Sequence, residues 1–219
     1  GPKSRKLLQK LIRENISNEN FKFRDVREIY VGSIPAIVNR ISFTGELGYE
    51  IYVAPHFQLK LYEEIEIAGK EFNLKPFGSR ALMSMRLEKN WGAWTLDFRP
   101  DFTAKESGLD SFIDWNKDFI GKESAKNDKS RLKLTPLIIE TNEIDVTNNE
   151  AVVKNGKSIG YITSGGFAHY VNKSIAYSYL DEEILKTNEK FQVEINGDFY
   201  NCSIIKEPLY DAKGIKMRS

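Results

Sequence analysis

Apolar positions along the first half of the chain recur at helical spacing, with short alternating runs between them. Leu7, Leu8 and Leu11 form one stripe, predicting a helix over residues 4–12. Leu61, Ile65 and Ala68 predict a second over residues 57–68, and Ala81, Leu82, Met85 and Leu87, behind Gly78, a third over 79–89. Residues 27–30 and 34–42 read as strands joined by a turn at Gly32-Ser33. The polar stretch Asn127-Asp128-Lys129-Ser130 breaks the pattern. Beyond it six strands are predicted, at 132–140, 150–154, 159–163, 174–180, 191–195 and 199–206. Asn196-Gly197-Asp198 is a strong hairpin turn between the last two, and Gly165-Gly166 reads as another turn. Six short strands with such turns suggest a small antiparallel barrel. The expected fold class is α+β: a mixed α/β lobe over residues 1–127, then a β-barrel domain over 128–219.

The segment Ser42-Phe43-Thr44-Gly45-Glu46-Leu47-Gly48-Tyr49-Glu50-Ile51 carries the most chemistry. It sets two carboxylates and two glycines at the mouth of a strand, and glycine admits both positive φ and close approach of a ligand to the backbone. Alternation from Tyr49 to Val53 puts Glu50 and Tyr52 on one face and Tyr49, Ile51 and Val53 on the other. Carboxylates so placed can accept paired N–H donors from a flat heterocycle, or be solvated like most surface glutamates.

Composition narrows the function classes. With 32 basic and 31 acidic residues the formal net charge is +1, so no nucleic-acid surface is expected. The one cysteine, Cys202, sits in an alternating apolar run and reads as a small core residue. It leaves no partner for an intrachain disulfide and no cysteine metal cage. His56 and His169 lack neighbours at metal-ligand spacing, so no metal site is expected and both read as structural or surface residues. No run of roughly 18 apolar residues marks a spanning helix. Gly-x-Gly-x-x-Gly and phosphate-loop patterns are missing as well. A cytoplasmic location is the expectation.

Thr44-Gly45-Glu46-Leu47-Gly48-Tyr49-Glu50 resembles the signature of the glycine-cleavage T-protein (aminomethyltransferase) superfamily. Further similarities follow in order: Gly78-Ser79-Arg80-Ala81 running into Met85-Arg86-Leu87-Glu88-Lys89, Thr103 to Leu109, Asp118 to Glu123, Gly160 to Gly166, and Pro208-Leu209-Tyr210-Asp211. The run from Trp91 to Asp101 is more similar to the folate-binding half of dimethylglycine and sarcosine dehydrogenase-like proteins than to the free T-protein. The start, Gly1 to Leu11, resembles an internal segment of the family, with the alternative that Gly1-Pro2 is the remnant of a protease site. The segment ahead of that helix, which in the family carries the catalytic acid, is expected to be missing. No catalytic residue is therefore assigned.

The resemblance implies tetrahydrofolate as cofactor and a small one-carbon donor as the other ligand. The implied reaction transfers an aminomethyl or iminium unit to give 5,10-methylenetetrahydrofolate, with the isolated chain weak or inactive. FAD is implied only where an upstream flavin domain exists. That domain or a lipoyl carrier protein would be the partner, with neither nucleic acid nor membrane involved. Glu50 is the implied acceptor for the pterin edge, with Glu46 as the alternative and Tyr52 beside it on the same face. Arg80 stands where the family has a functional arginine, whose fork would suit the folate carboxylates. Arg86 and Glu88 read as a packing pair. Trp94 stands where the T-protein has a pocket tyrosine, and either stacks on folate or shares a buried helical face with Trp91. Phe43 stands at a common tyrosine, without its hydroxyl. Two rival functions remain open: a free aminomethyltransferase, and a folate-binding module without turnover.

Overall fold

The computed structural model describes residues 1–141, 144–187 and 190–219. It divides into two compact units, residues 1–89 with 211–219, and residues 90–210.

In the first unit, β1 (Val26–Val31), β2 (Ile34–Asn39) and β3 (Glu50–Tyr52) form an antiparallel sheet in that order. Gly32 takes φ +61° in the β1–β2 turn, as that tight reversal requires. Alternation along β2 buries Ile34, Ala36 and Val38 and turns Pro35 and Ile37 outward. The inward face packs with α1 (Ser4–Leu8) and α2 (Gln58–Gly69) around Leu7, Leu8, Ile12, Ile16, Phe21 and Leu61. The outward face carries exposed Val26, Tyr30, Ile37 and Tyr52, with Glu50 beside them. α1 is shorter than its stripe predicts. The Gln9 side chain diverts the backbone there: its amide donates to Ile12 O (3.0 Å) and Glu14 O (2.8 Å), and its oxygen accepts from Ile16 N.

α3 (Ser79–Glu88) follows Gly78, and its end is held from inside the unit. Lys89, almost wholly buried, donates to Asp211 O and lies 3.7 Å from Asp211 Oδ2. Burial draws its ammonium pKa below the usual lysine range, against the pull of Asp211 and Glu46. The Asp211 carboxylate accepts from Ile215 N and Lys216 N at 3.0 Å, which starts the closing helix α6 (Ile215–Arg218).

The second unit opens with irregular chain and α4 (Lys122–Lys126), then a polar loop through Asn127–Ser130. The barrel strands are β4 (Leu132–Ile139), β5 (Ala151–Lys154), β6 (Lys157–Ala168), β7 (Lys173–Asp181), β8 (Phe191–Ile195) and β9 (Asp198–Ile204), with α5 (Glu182–Lys186) between β7 and β8. They close antiparallel in the order β4-β7-β6-β5-β8-β9 around Leu137, Ile139, Val152, Ile162, Ala176 and Val193. Asn196 and Gly197 both take positive φ, +55° and +90°, the backbone a two-residue hairpin needs. Partly buried Cys202 packs against this core and donates to Phe191 O; burial pushes its thiol up to about 12.

Two local expectations are corrected. Gly165-Gly166 is not a turn: both residues lie inside β6, paired with Ala176 and Ile175. A Cβ at Gly165 would stand 2.7 Å from Val146 Cγ1 and 2.8 Å from Val146 O, so the glycine serves a close approach. Trp91 and Trp94 do not share a buried helical face. α3 ends at Glu88, and Asn90 takes φ +53°, so the chain leaves the helix before either ring. Among the described residues no helix is long and apolar enough to cross a membrane, and no group of His, Cys, Asp and Glu suits a metal ion.

Candidate functional site

The chain from Ile41 to Tyr49 folds back on itself before β3. Ser42 Oγ accepts from Gly45 N (3.0 Å) and Thr44 Oγ1 from Glu46 N (3.3 Å), two local bonds that compete with strand formation. Gly45 takes φ +84°, and a Cβ on Gly48 would lie 2.9 Å from Ile41 O. Only glycine meets both demands. The loop ends where Glu50 begins β3.

Loop, sheet edge and α3 border a cavity of about 1130 Å³ within the first unit. Its wall is mainly apolar, with Leu8, Ile51, Phe77, Leu82 and Met85 among the lining side chains. Among the described residues, its charged lining side chains are Lys3, Glu46, Glu50 and Lys75. That size holds a ligand of several fused or linked rings.

The two glutamates stand in different surroundings. Glu46 lies in the field of the buried Lys89 ammonium, an internal cation. Exposed Glu50 accepts a short hydrogen bond from the Tyr52 hydroxyl at Oε2. That bond raises the tyrosine's pKa above its usual range. Each carboxylate oxygen has two lone pairs, so Glu50 can take the tyrosine and still accept a pair of N–H donors. Glu50 is the better-placed acceptor.

The other candidates fall as follows. Arg80 is exposed in the first turn of α3, whose Ala81, Leu82 and Met85 line the cavity. Arg80 itself is not among the lining residues. Trp94 belongs to the second unit, on a loop where the residue is 76% exposed and its ring meets Phe98 edge-on at 5.5 Å. Arg86 and Glu88 are both buried. His56 sits exposed in a short 3₁₀ turn, and His169 is exposed beside Phe167. Phe43 lines the cavity, but without a hydroxyl to offer it.

Tyr49 was not among the candidates, because alternation assigned it to the inner face with Ile51. It does pack on Phe21 there, and part of it also lines the cavity. Its buried hydroxyl has no hydrogen-bond partner among the described residues.

The family model described as GCVT N-terminal domain matches residues 1–117, and the glycine cleavage T-protein C-terminal barrel domain matches residues 133–211. The chain belongs to the aminomethyltransferase family. It is 38% identical over 214 residues to human mitochondrial dimethylglycine dehydrogenase, covering 95% of this chain and 25% of that protein. To the aminomethyltransferase of Desulfitobacterium hafniense it is 32% identical over 218 residues, 98% of this chain and 59% of the relative. In fold it matches the crystal structure of glycine cleavage system aminomethyltransferase T from Bartonella henselae. The TM-score is 0.84 at 20% identity, over 97% of this chain and 58% of that one. The chain thus spans a quarter to three-fifths of these relatives.

The α+β fold with a closed barrel is the aminomethyltransferase fold, and this enzyme family, of transferase type, binds tetrahydrofolate. The residues present fit such a ligand. A pterin edge calls for a carboxylate acceptor, and Glu50 and Glu46 both line the cavity; its rings call for apolar walls, which the cavity has.

Proposed function

We propose that this chain is the folate-binding portion of a one-carbon transfer protein, similar in its working context to dimethylglycine dehydrogenase. The observation that carries the reading is Glu50 at the cavity wall, tied to Tyr52, whereas Glu46 lies in the field of Lys89. The relationship to a dehydrogenase across 95% of the chain supports the context.

Tetrahydrofolate, when bound, supplies the amine that accepts the one-carbon unit. The chain's own part is to hold and orient it. The Glu50 carboxylate takes the N–H edge of the pterin, and the apolar wall of Leu82 and Met85 excludes water from the rings. Arg80, exposed at the head of α3, is proposed to meet the carboxylate end. Holding folate and donor together lowers the entropic part of the barrier. An upstream flavin domain is the proposed source of the one-carbon unit, and a lipoyl carrier protein the alternative.

Calorimetric titration of this chain with tetrahydrofolate, alongside Glu50→Gln, tests the reading. Saturable binding that weakens about tenfold or more in the variant is expected, the value of a hydrogen bond to a charged group. No binding to the parent chain sinks the proposal; equal binding by both sinks the assignment of Glu50. Turnover with the full-length protein then separates transfer from simple folate binding.

A further inference from the structure

Two guanidiniums and a phenol gather inside the first unit at a place where no side-chain carboxylate meets them. We infer that Arg5, Arg40 and Tyr49 form a binding site for a single halide ion, chloride under ordinary conditions.

Arg40 follows directly on β2 and has no exposed surface. Its backbone is pinned on both sides: Arg24 N donates to Arg40 O at 2.8 Å, and Arg40 N to Asp25 O at 3.0 Å. Its Nη1 donates to Phe21 O, and its Nη2 to Arg218 O (3.0 Å) and Ser219 O (2.8 Å). From α1, Arg5 Nη2 donates to the same Ser219 O at 2.6 Å, so the two guanidiniums are neighbours. Tyr49 joins them across the sheet. Asn39 pairs with Glu50, and the next residues along that antiparallel register are Arg40 and Tyr49. The Tyr49 ring rests on Phe21, ring centres 5.8 Å apart, and it is the Phe21 carbonyl that holds Arg40.

Each of the three keeps a buried donor unmet. Arg5 Nε, Arg40 Nε and the Tyr49 hydroxyl have no hydrogen-bond partner among the described residues. Among those residues neither guanidinium is ion-paired with a side-chain carboxylate. Asp25 acts on Arg40 from a distance, but its carboxylate lies 3.7 Å from Arg27 and accepts from Lys22 N at 2.9 Å. Burial first, and then the like charge of Arg5, draw the Arg40 pKa below the usual arginine range, against the pull of Tyr49 and Asp25. A buried charge without a counter-ion is costly, and each orphaned donor adds its own desolvation penalty. One anion among the three relieves both.

The donor set selects a halide. Oxyanions are gripped by guanidinium forks, and both Nη atoms of Arg40 are already engaged by main-chain oxygens. What remains is one N–H from each arginine and one O–H, single donors on separate side chains. These suit a spherical ion, which has no preferred directions. A water can accept from only two of the three, and it brings no charge to set against the two cations. Tyr49 directly precedes Glu50 and borders the cavity, so the ion fixes the entry to β3.

Thermal unfolding of the chain in chloride and in gluconate, at equal ionic strength, reads the site. Chloride at about tenfold its dissociation constant should raise the Tm by roughly 3–6 °C, and the rise should saturate. Arg5→Gln/Tyr49→Phe removes two of the three donors and one cation, and should abolish the difference between the two salts. An equal difference in parent and double variant is an ordinary salt effect and overturns the inference, as does a rise that never saturates. Should the double variant not fold, Tyr49→Phe alone keeps its ring on Phe21. It should raise the half-saturating chloride concentration about tenfold or more, the value of a hydrogen bond to a charged group, and an unchanged concentration overturns the inference. Crystals grown in bromide give the direct reading. An anomalous peak in contact with Arg40 Nε and the Tyr49 hydroxyl is expected, and a water at that place, or bromide only at the surface, overturns it.

Discussion

The barrel and the three-stranded sheet solve the same packing problem to different degrees. In the barrel every strand pairs on both sides, the order returning from β9 to β4, and the interior is filled by Leu137, Ile162 and Val193. The sheet of the first unit packs one face and leaves the other with Val26, Tyr30, Ile37 and Tyr52 exposed around Glu50. It also borders a cavity of about 1130 Å³. A closed barrel has spent its apolar and backbone valences on itself. The half-covered sheet has chemistry to spare, and the candidate acceptor lies there.

The comparison would break first in the barrel core. Ile162→Ala, at a wholly buried position, should destabilise the chain by about 2–5 kcal/mol in denaturant unfolding. A loss below about 1 kcal/mol would mean the barrel is less tightly filled than described.

Alkali sharpens it next. The thiol of Cys202 rises from an ordinary value near 9 to about 12 in the folded barrel, by burial first. Folding therefore keeps the proton that the unfolded chain gives up. Stability is intact below pH 9 and lost as pH rises toward 12, at most about 4 kcal/mol by linkage. Unfolding of the parent and of Cys202→Ala, compared across that window, isolates this contribution, and parallel curves would refute it.

Smaller effects belong to the open sheet. Glu50→Gln should weaken tetrahydrofolate by about 1.5–3 kcal/mol while the melting temperature hardly moves, since the side chain is exposed. Glu46→Gln should do the reverse, weakening the fold through Lys89 more than the binding. Tyr52→Phe removes one hydrogen bond to Glu50 and should weaken binding less than Glu50→Gln does, as read by calorimetry. Equal behaviour of the two glutamates would erase the distinction between them.

Much of this was legible in local pattern. Alternation placed Glu50 and Tyr52 on one face, which their hydrogen bond bears out, and β8 begins and ends where its apolar run does. Asn196-Gly197 marked its hairpin because only such residues tolerate two positive φ angles in succession. What stayed hidden depends on partners distant in sequence. Gly165 looks like a turn residue until Val146 is seen against it. Asp97 reads as a lone acidic residue between Leu96 and Phe98 in an aromatic-rich stretch. Its hydrogen-bond partners Thr163 and Ser164 lie 66 and 67 positions away, on a bulge in β6 that no period-2 pattern announces. Tyr49 was assigned to one face, but a ring at a strand's mouth reaches past it. Trp94 remained open between two readings because the end of α3 turns on Asn90's backbone, which spacing alone does not reveal.

The bond from Lys89 to Asp211 has a mechanical consequence. It brings together the two points where the chain leaves and re-enters the first unit, so residues 90–210 form a loop closed at its base. Tension carried through the first unit would reach the barrel only after that clasp had opened. A single-molecule stretching trace would then show the sheet yielding first, and the barrel's length released only afterwards.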